Sequence, residues 1–149
     1  MNHFRNKTFS QNECQFLAEL LNDIEYKKNL VLRFDELYQE RLKARISASR
    51  LSDIGIFGTV HIPPKGFYVF PVQEKVYLVW LDNFSISLDH MQFGMALTLE
   101  VLTIMKHETD DLSILDAYTA LRHRILEKSD VWDGAYTYAL LAGSLQYCG

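Results

Sequence analysis

The chain contains little cysteine, proline or glycine, and none of its segments is apolar for long. Its 149 residues include 2 cysteines, 3 prolines and 7 glycines. Two cysteines in a chain of this length do not form a disulfide framework. We therefore expect Cys14 and Cys148 to be reduced thiols in a cytoplasmic protein. The longest strongly apolar stretch, residues 93–105, is interrupted by Glu100 and two threonines and is too short to span a membrane. The first ten residues lack an apolar core, so no signal peptide is expected.

Charge of neither sign dominates the composition. Lys and Arg total 15, Asp and Glu total 19, and the formal net charge is −4. A protein that coats nucleic acid would be strongly basic. A DNA mimic would need about one negative charge per 1.7 Å of helix axis. Composition therefore excludes both classes. The basic residues concentrate before residue 76, which leaves the second half of the chain with a net negative charge.

Helical periodicity occurs at both ends of the chain. A Ser-x-x-Glu capping box at residues 10–13 predicts a helix that runs to about the polar residues 27–29. A second helix exposes basic residues near its end and carries inward Leu30, Phe34, Leu37, Tyr38 and Leu42. That basic end either meets phosphate or simply complements the helix dipole. The basic residues are Arg41, Lys43, Arg45 and Arg50.

The middle of the chain has the composition of short antiparallel strands. Three are predicted, at residues 54–62, 67–70 and 76–81, separated by turn residues. The third is continuously apolar, which predicts a central strand covered on both faces. Helices then follow, the first of them capped by Ser87 or Asp89. We predict a single α+β domain over residues 1–149, with a small antiparallel sheet of about three or more strands packed with N-terminal and C-terminal helices.

The usual signatures of catalysis and cofactor binding are missing from the sequence. It contains no zinc spacing, phosphate-binding loop, dinucleotide fingerprint or nucleophile elbow. The cluster of His107, Glu108, Asp110 and Asp111 is typical of a junction between two helices. The aromatic strands lack interleaved basic residues, so a packed core accounts for them better than base stacking does. We therefore expect no catalytic residue, no metal, no cofactor and no direct nucleic-acid binding.

The segment from Gly55 to Pro71 resembles the central signature of the KlcA/ArdB antirestriction family. That signature is a glycine-aromatic strand, a short turn and a Gly-Phe-Tyr-x-x-Pro motif. The direct matches in this segment are Gly66, Phe67, Tyr68 and Pro71. The similarity continues over about residues 54–130 through Trp80, Asn83, Ser87, Leu88, Asp89, Gly94, Thr98 and Leu99, and then Asp116, Tyr118, Leu121 and Arg122. The chain departs from the family at residues 57–60, which replace Trp-x-Phe-Tyr, and at residues 129–130, which replace His-Pro.

The resemblance implies an accessory protein of a mobile element that relieves type I restriction without catalysis. Such a protein would act inside the cell through contact with a protein partner, for which the type I restriction machinery itself is one candidate. The acidic half of the chain supplies either a contact surface or ordinary solvated helix faces. The residues of that candidate surface are Asp110, Asp111, Asp116, Asp130 and Asp133.

Other functions remain open at this level. One is a small binding or immunity-like module of a mobile gene cassette with a different protein target. Another is an enzyme, which would need a pocket that gathers His61 or His90 with carboxylates. Aromatic residues near the C-terminus either form a patch for a homodimer or pack in the core. They are Trp132, Tyr136, Tyr138 and Tyr147.

Overall fold

The computed structural model describes residues 25–145, and in that range the fold class is α+β, as predicted. In chain order the elements are α1 (Glu25–Arg45), α2 (Ala48–Asp53), β1 (Phe57–Ile62), β2 (Gly66–Pro71), β3 (Val76–Leu81), β4 (Phe84–Asp89), α3 (His90–Glu108), α4 (Leu112–Glu127) and α5 (Asp133–Leu141). The helix expected from residues 10–13 to about residues 27–29 lies outside the described residues up to residue 24. Cys14, Tyr147 and Cys148 also lie outside them. Residues 27–29, expected to end a helix, instead lie within α1.

Two separate antiparallel hairpins replace the single sheet of three or more strands. β1 pairs with β2 from Phe57 opposite Pro71 to Ile62 opposite Gly66. The second hairpin consists of β3 and β4, joined by a two-residue turn. Asp82, the first residue of that turn, has a φ of 45°, in line with the positive φ that two-residue hairpin loops require.

The sheet does not extend beyond β2 because side chains occupy the outer edge of that strand. The Val69 amide donates to Thr98 Oγ1 at 3.0 Å. The Val69 carbonyl accepts from the Thr98 hydroxyl at 3.2 Å and from the Tyr38 hydroxyl at 3.0 Å. Since these main-chain groups already have partners, a third strand has nothing to pair with at Val69.

The prediction for the third strand was wrong in one respect and incomplete in another. β3 is not covered on both faces, because its residues alternate between exposed and buried. Its partner β4 was not predicted, because its two serines and terminal aspartate resemble a loop leading to a helix cap. The cap itself is confirmed: Asp89 accepts from the Gln92 amide at 2.8 Å and begins α3, whereas Ser87 lies within β4.

Helix α3 forms the centre of the core, as its apolar sequence predicts. Residues 93–102 are all buried, and the helix packs against β2, α1, α4 and α5. Gly94 allows α3 to approach β2 closely, since a Cβ at this position would lie 2.6 Å from the Phe70 Cα. Around α3, helix α4 buries Ile114, Tyr118 and other residues at helical spacing and is capped by Asp111.

Candidate functional site

The residues that carry the family resemblance on β2 and α3 hold these elements together. A Cβ at Gly66 would lie 2.5 Å from the Ala120 Cβ on α4, so the glycine lets β2 contact that helix. Gly94 does the same between β2 and α3, and Thr98 satisfies the edge of β2. These residues therefore position the first hairpin within the core.

Two residues of the resemblance on α4, Tyr118 and Arg122, bind the end of the described chain. The Tyr118 hydroxyl donates to the Ser144 carbonyl at 2.7 Å, and Arg122 Nε donates to the Leu145 carbonyl at 2.8 Å. Both contacts join α4 to the segment that follows α5. Because these motif residues serve packing, a surface for partners has to be sought among other side chains.

The five candidate aspartates lie toward the two ends of α4. Asp110 and Asp111 precede the helix, where Asp111 caps it, and Asp116 lies in its second turn. Asp130 and Asp133 belong to the connection between α4 and α5 and to the first residue of α5. Since 16 helical residues span about 24 Å, the structure does not bring all five together. Asp116 also lies 3.7 Å from Lys65 Nζ.

A groove of about 800 Å³ lies between the β1–β2 turn and α4. Its floor and walls include Pro63, Pro64 and Leu115, and its charged groups carry both signs. Lys65 faces Asp116 across it, and His123 Nε2 lies 3.7 Å from Glu127 Oε2. The His123 side chain is largely exposed, so this groove offers no shielded acid–base pair.

The two histidines considered for an enzyme contact main-chain carbonyls. His61 Nε2 lies 3.4 Å from the Pro64 carbonyl, and His90 Nδ1 lies 3.0 Å from the Pro71 carbonyl. A ring nitrogen that faces a carbonyl oxygen carries the proton and donates it. The Phe70 ring packs edge-on against His90 at 5.8 Å. These contacts position the hairpin ends.

A buried ionic cluster joins α1, α3 and α5. Glu100, only 7% exposed, accepts from Arg45 Nη2 at 2.5 Å and from Arg41 Nη1 at 3.4 Å. The Tyr138 hydroxyl also donates to it. Arg45 Nη1 reaches the Trp80 carbonyl on β3 at 3.4 Å. The cluster therefore connects three helices and one end of the second hairpin.

Burial and the neighbouring charges together determine the protonation of this cluster. Burial raises the pKa of the Tyr138 hydroxyl well above its usual value, and the neighbouring Glu100 carboxylate raises it further. Burial alone would lower the pKa of Arg45, but its bonds to Glu100 and the proximity of Tyr138 outweigh that effect and raise it. Tyr138 thus stays a donor and Arg45 stays charged at neutral pH, which is typical of a structural cluster.

The aromatic residues near the C-terminus do not form an exposed patch within the described range. Tyr138 is fully buried, and Trp132 and Tyr136 are half-buried against the core. Core packing therefore accounts for Tyr138, whose ring also lies 5.8 Å from the Arg45 guanidinium carbon.

Three exposed apolar side chains lie in a row along β3. We call Val76, Leu78 and Trp80 the β3 stripe; their exposed fractions are 62%, 45% and 49%. They lie on one face of the hairpin, opposite Asp89, Ser87 and Ser85. The sequence did not reveal this surface because the buried residues between them are also apolar, so no polar alternation marks the open face.

Comparison of the chain with protein-family models, with curated proteins and with solved structures finds no match. The resemblance to the KlcA/ArdB family therefore stays a prediction. Within residues 25–145 no helix has the length and apolarity that a membrane crossing needs. The same part of the chain holds no group of three or more His, Cys, Asp or Glu that could bind a metal ion.

Proposed function

We propose that this protein is an antirestriction-like accessory factor of a mobile element, which relieves type I restriction by binding a protein partner and not by catalysis. The observation that carries the binding part is the β3 stripe. The antirestriction part rests on the sequence resemblance over residues 54–130.

The β3 stripe has the chemistry of a protein contact. Large apolar side chains, a tryptophan among them, are exposed side by side, with serines along their border on β4. An apolar centre with a polar rim is the common composition of protein–protein interfaces. Trp80 is the expected anchor, because buried tryptophans contribute most strongly to such contacts.

Transfer of unmodified phage or plasmid DNA into cells with an active type I restriction system tests the function. Expression of the protein is expected to raise transfer in these cells and to leave transfer unchanged in cells without restriction. The double variant Leu78→Ser, Trp80→Ser is expected to lose the protection. The matched control is Leu140→Ser, Leu141→Ser on α5, whose side chains are 56% and 45% exposed.

Failure of the folded wild-type protein to protect against several type I systems would overturn the antirestriction proposal. The alternative is then a binding or immunity-like module with another protein target, identified by capture with the wild type and not with the stripe variant.

The acidic residues define a second test of the contact surface. Charge reversal at Asp130 and Asp133 changes exposed side chains without removing the cap that Asp111 provides. Lost protection with an unchanged fold would locate the contact at this end of α4. Unchanged protection would remove these two aspartates from the contact surface.

A further inference from the structure

Among residues 25–145, the outer edge of β3 has main-chain groups that no other residue pairs with. A two-residue hairpin turn closes on a hydrogen-bonded pair, here Leu81 and Phe84. Hydrogen-bonded and non-bonded pairs alternate from there, so the pairs of Trp80, Leu78 and Val76 with β4 are non-bonded. The amide and carbonyl groups of these three residues therefore point away from β4. In the described structure the Trp80 carbonyl alone among them has a partner, Arg45.

The corresponding edge of the first hairpin is closed. There the Val69 amide and carbonyl bind the hydroxyls of Thr98 and Tyr38. β3 also lacks the devices that usually protect an exposed edge, since Val76–Leu81 contains no charge, proline or bulge. An apolar edge strand of this kind accepts another strand.

Cations border this edge on the inner side of the hairpin. Arg45 approaches it at Trp80. Tyr77 points its side chain inward, and burial raises its pKa; Arg50 on α2 is close enough for its charge to offset part of that rise. Arg50 forms no ion pair with any described residue, whereas the charge of Arg45 is matched by Glu100. In a strand added at this edge, the side chains on the outer face would thus lie beside the β3 stripe. Those on the inner face would lie beside basic groups.

We propose, building on the proposed function, that the partner binds as an antiparallel strand added to the outer edge of β3, and that this partner segment alternates apolar and acidic residues. Its apolar side chains extend the β3 stripe on the outer face. Its carboxylates face Arg50 and the end of α1. Residues paired with Val76, Leu78 and Trp80 share their face, so the apolar residues of the added strand are the ones that form main-chain bonds.

Fluorescently labelled eight-residue peptides provide the probe. A peptide of alternating valine and glutamate is expected to bind at least tenfold more tightly than one of alternating valine and lysine, measured by anisotropy. N-methylation of its valine amides is expected to abolish binding, because those amides face β3. N-methylation of its glutamate amides is expected to leave binding within twofold. Equal binding of the two peptides, or no effect of valine methylation, would overturn the inference.

Matched proline variants locate the site on the protein. Leu78→Pro removes an outward amide and spares the bonds to β4, so it is expected to abolish peptide binding with an unchanged circular dichroism spectrum. Ser87→Pro removes the equivalent amide on the opposite edge of the hairpin and is expected to bind normally. Arg50→Gln is expected to weaken the valine–glutamate peptide several-fold, and Lys128→Gln to leave it unchanged. Binding that survives Leu78→Pro contradicts the proposed site.

Two further measurements distinguish strand addition by an acidic partner from self-association and from the proposed function. A wild-type dimer in sedimentation that dissociates on Leu78→Pro would show that a second copy occupies the edge, which overturns the acidic partner. Stripe variants that lose protection while no peptide binds would overturn strand addition and leave the proposed function standing. Peptide binding by a wild-type protein that gives no protection would leave strand addition standing and overturn the proposed function. Full protection by Leu78→Pro would show that protection does not use the β3 edge, which overturns strand addition as the contact with the partner.

Discussion

The two hairpins have strands of equal length and the same antiparallel pairing, but opposite relations to the rest of the molecule. In the first, α3 and α4 cover β2, five of whose six residues are buried. In the second, β3 buries alternate residues and leaves the β3 stripe in solvent. The edge of β2 is closed by Thr98 and Tyr38, while most main-chain groups on the edge of β3 have no partner among the described residues.

The difference separates residues that build the fold from residues available for binding. The family-like residues Gly66, Gly94 and Thr98 serve the covered hairpin, where they allow close packing or satisfy buried main chain. On α4, Tyr118 and Arg122 bind the segment that follows α5. The open hairpin also carries residues of the resemblance, from Trp80 to Asp89, and one of them, Trp80, belongs to the exposed β3 stripe. Family-like residues therefore occur both where the fold is built and where a partner could bind.

The largest stability effect is expected at the closest contact of the covered hairpin. Gly94→Ala places a Cβ against the Phe70 Cβ and 2.6 Å from the Val69 carbonyl oxygen. Because main chain has to move, we expect a loss of about 3 kcal/mol in the free energy of unfolding, measured with urea. Gly55→Ala is the control, since nothing lies within 4 Å of its Cβ. Equal stability of the two variants would contradict the close packing.

Opening the edge of β2 is expected to cost somewhat less. Thr98→Val keeps the side-chain shape but leaves the buried Val69 amide without its acceptor. The Val69 carbonyl keeps the Tyr38 hydroxyl. We expect a loss of about 2 kcal/mol on thermal or urea unfolding, because an unsatisfied buried donor bears its desolvation cost. Thr98→Ser retains the hydroxyl and should lose clearly less unfolding free energy than Thr98→Val. Equal losses for the two variants would argue against the hydrogen bonds between Thr98 and Val69.

The cluster beneath the Trp80 end of β3 is expected to show a smaller effect with a pH signature. Tyr138→Phe removes one donor to Glu100 and should cost about 1.5 kcal/mol at neutral pH. Burial raises the pKa of Tyr138 in the folded protein above the value of about 10 that a tyrosine has in the unfolded chain. Below about pH 10 the hydroxyl is neutral in both states, and its full contribution to stability is present. Above that pH the wild type should lose up to about 1.4 kcal/mol per pH unit from this group.

Urea unfolding between pH 8 and 11 measures this dependence. The slope for Tyr138→Phe should be shallower than that of the wild type, although buried Tyr38 contributes in both proteins. Parallel slopes would mean that Tyr138 ionises as easily in the folded protein as in the unfolded chain.

The smallest effects are expected on the open face of β3. Leu78→Thr changes a side chain that is 45% exposed and should alter the free energy of unfolding by about 0.5 kcal/mol or less. Val79→Thr, one residue later, places a hydroxyl in the core, where Val79 is fully buried, and should cost about 2 kcal/mol. Similar losses for both would mean that the outer face of β3 is covered.

Local signals predicted much of the fold. The Asp89 cap located the start of α3, and the charged cluster at residues 107–111 located the junction between α3 and α4. The turn at Pro63 and Pro64 located the first hairpin. The prediction failed for β4, whose serines have no strong strand preference and depend on pairing with β3. It also failed for the β3 stripe, because valine, leucine and tryptophan look alike in sequence whether a neighbour covers them or not.

The sequence by itself determined the starts of α3 and α4, the turn of the first hairpin, the α+β class and many of the residues able to enter the core, because caps, turn chemistry and periodicity act over a few neighbouring positions. It did not mark the start of α1 or the short helix α2. Tertiary structure decided the number of sheets, the closed edge of β2 and the open edge of β3. It also gathered Glu100, Arg45 and Tyr138 from three helices. These features depend on contacts between residues far apart in the chain, which no local pattern encodes.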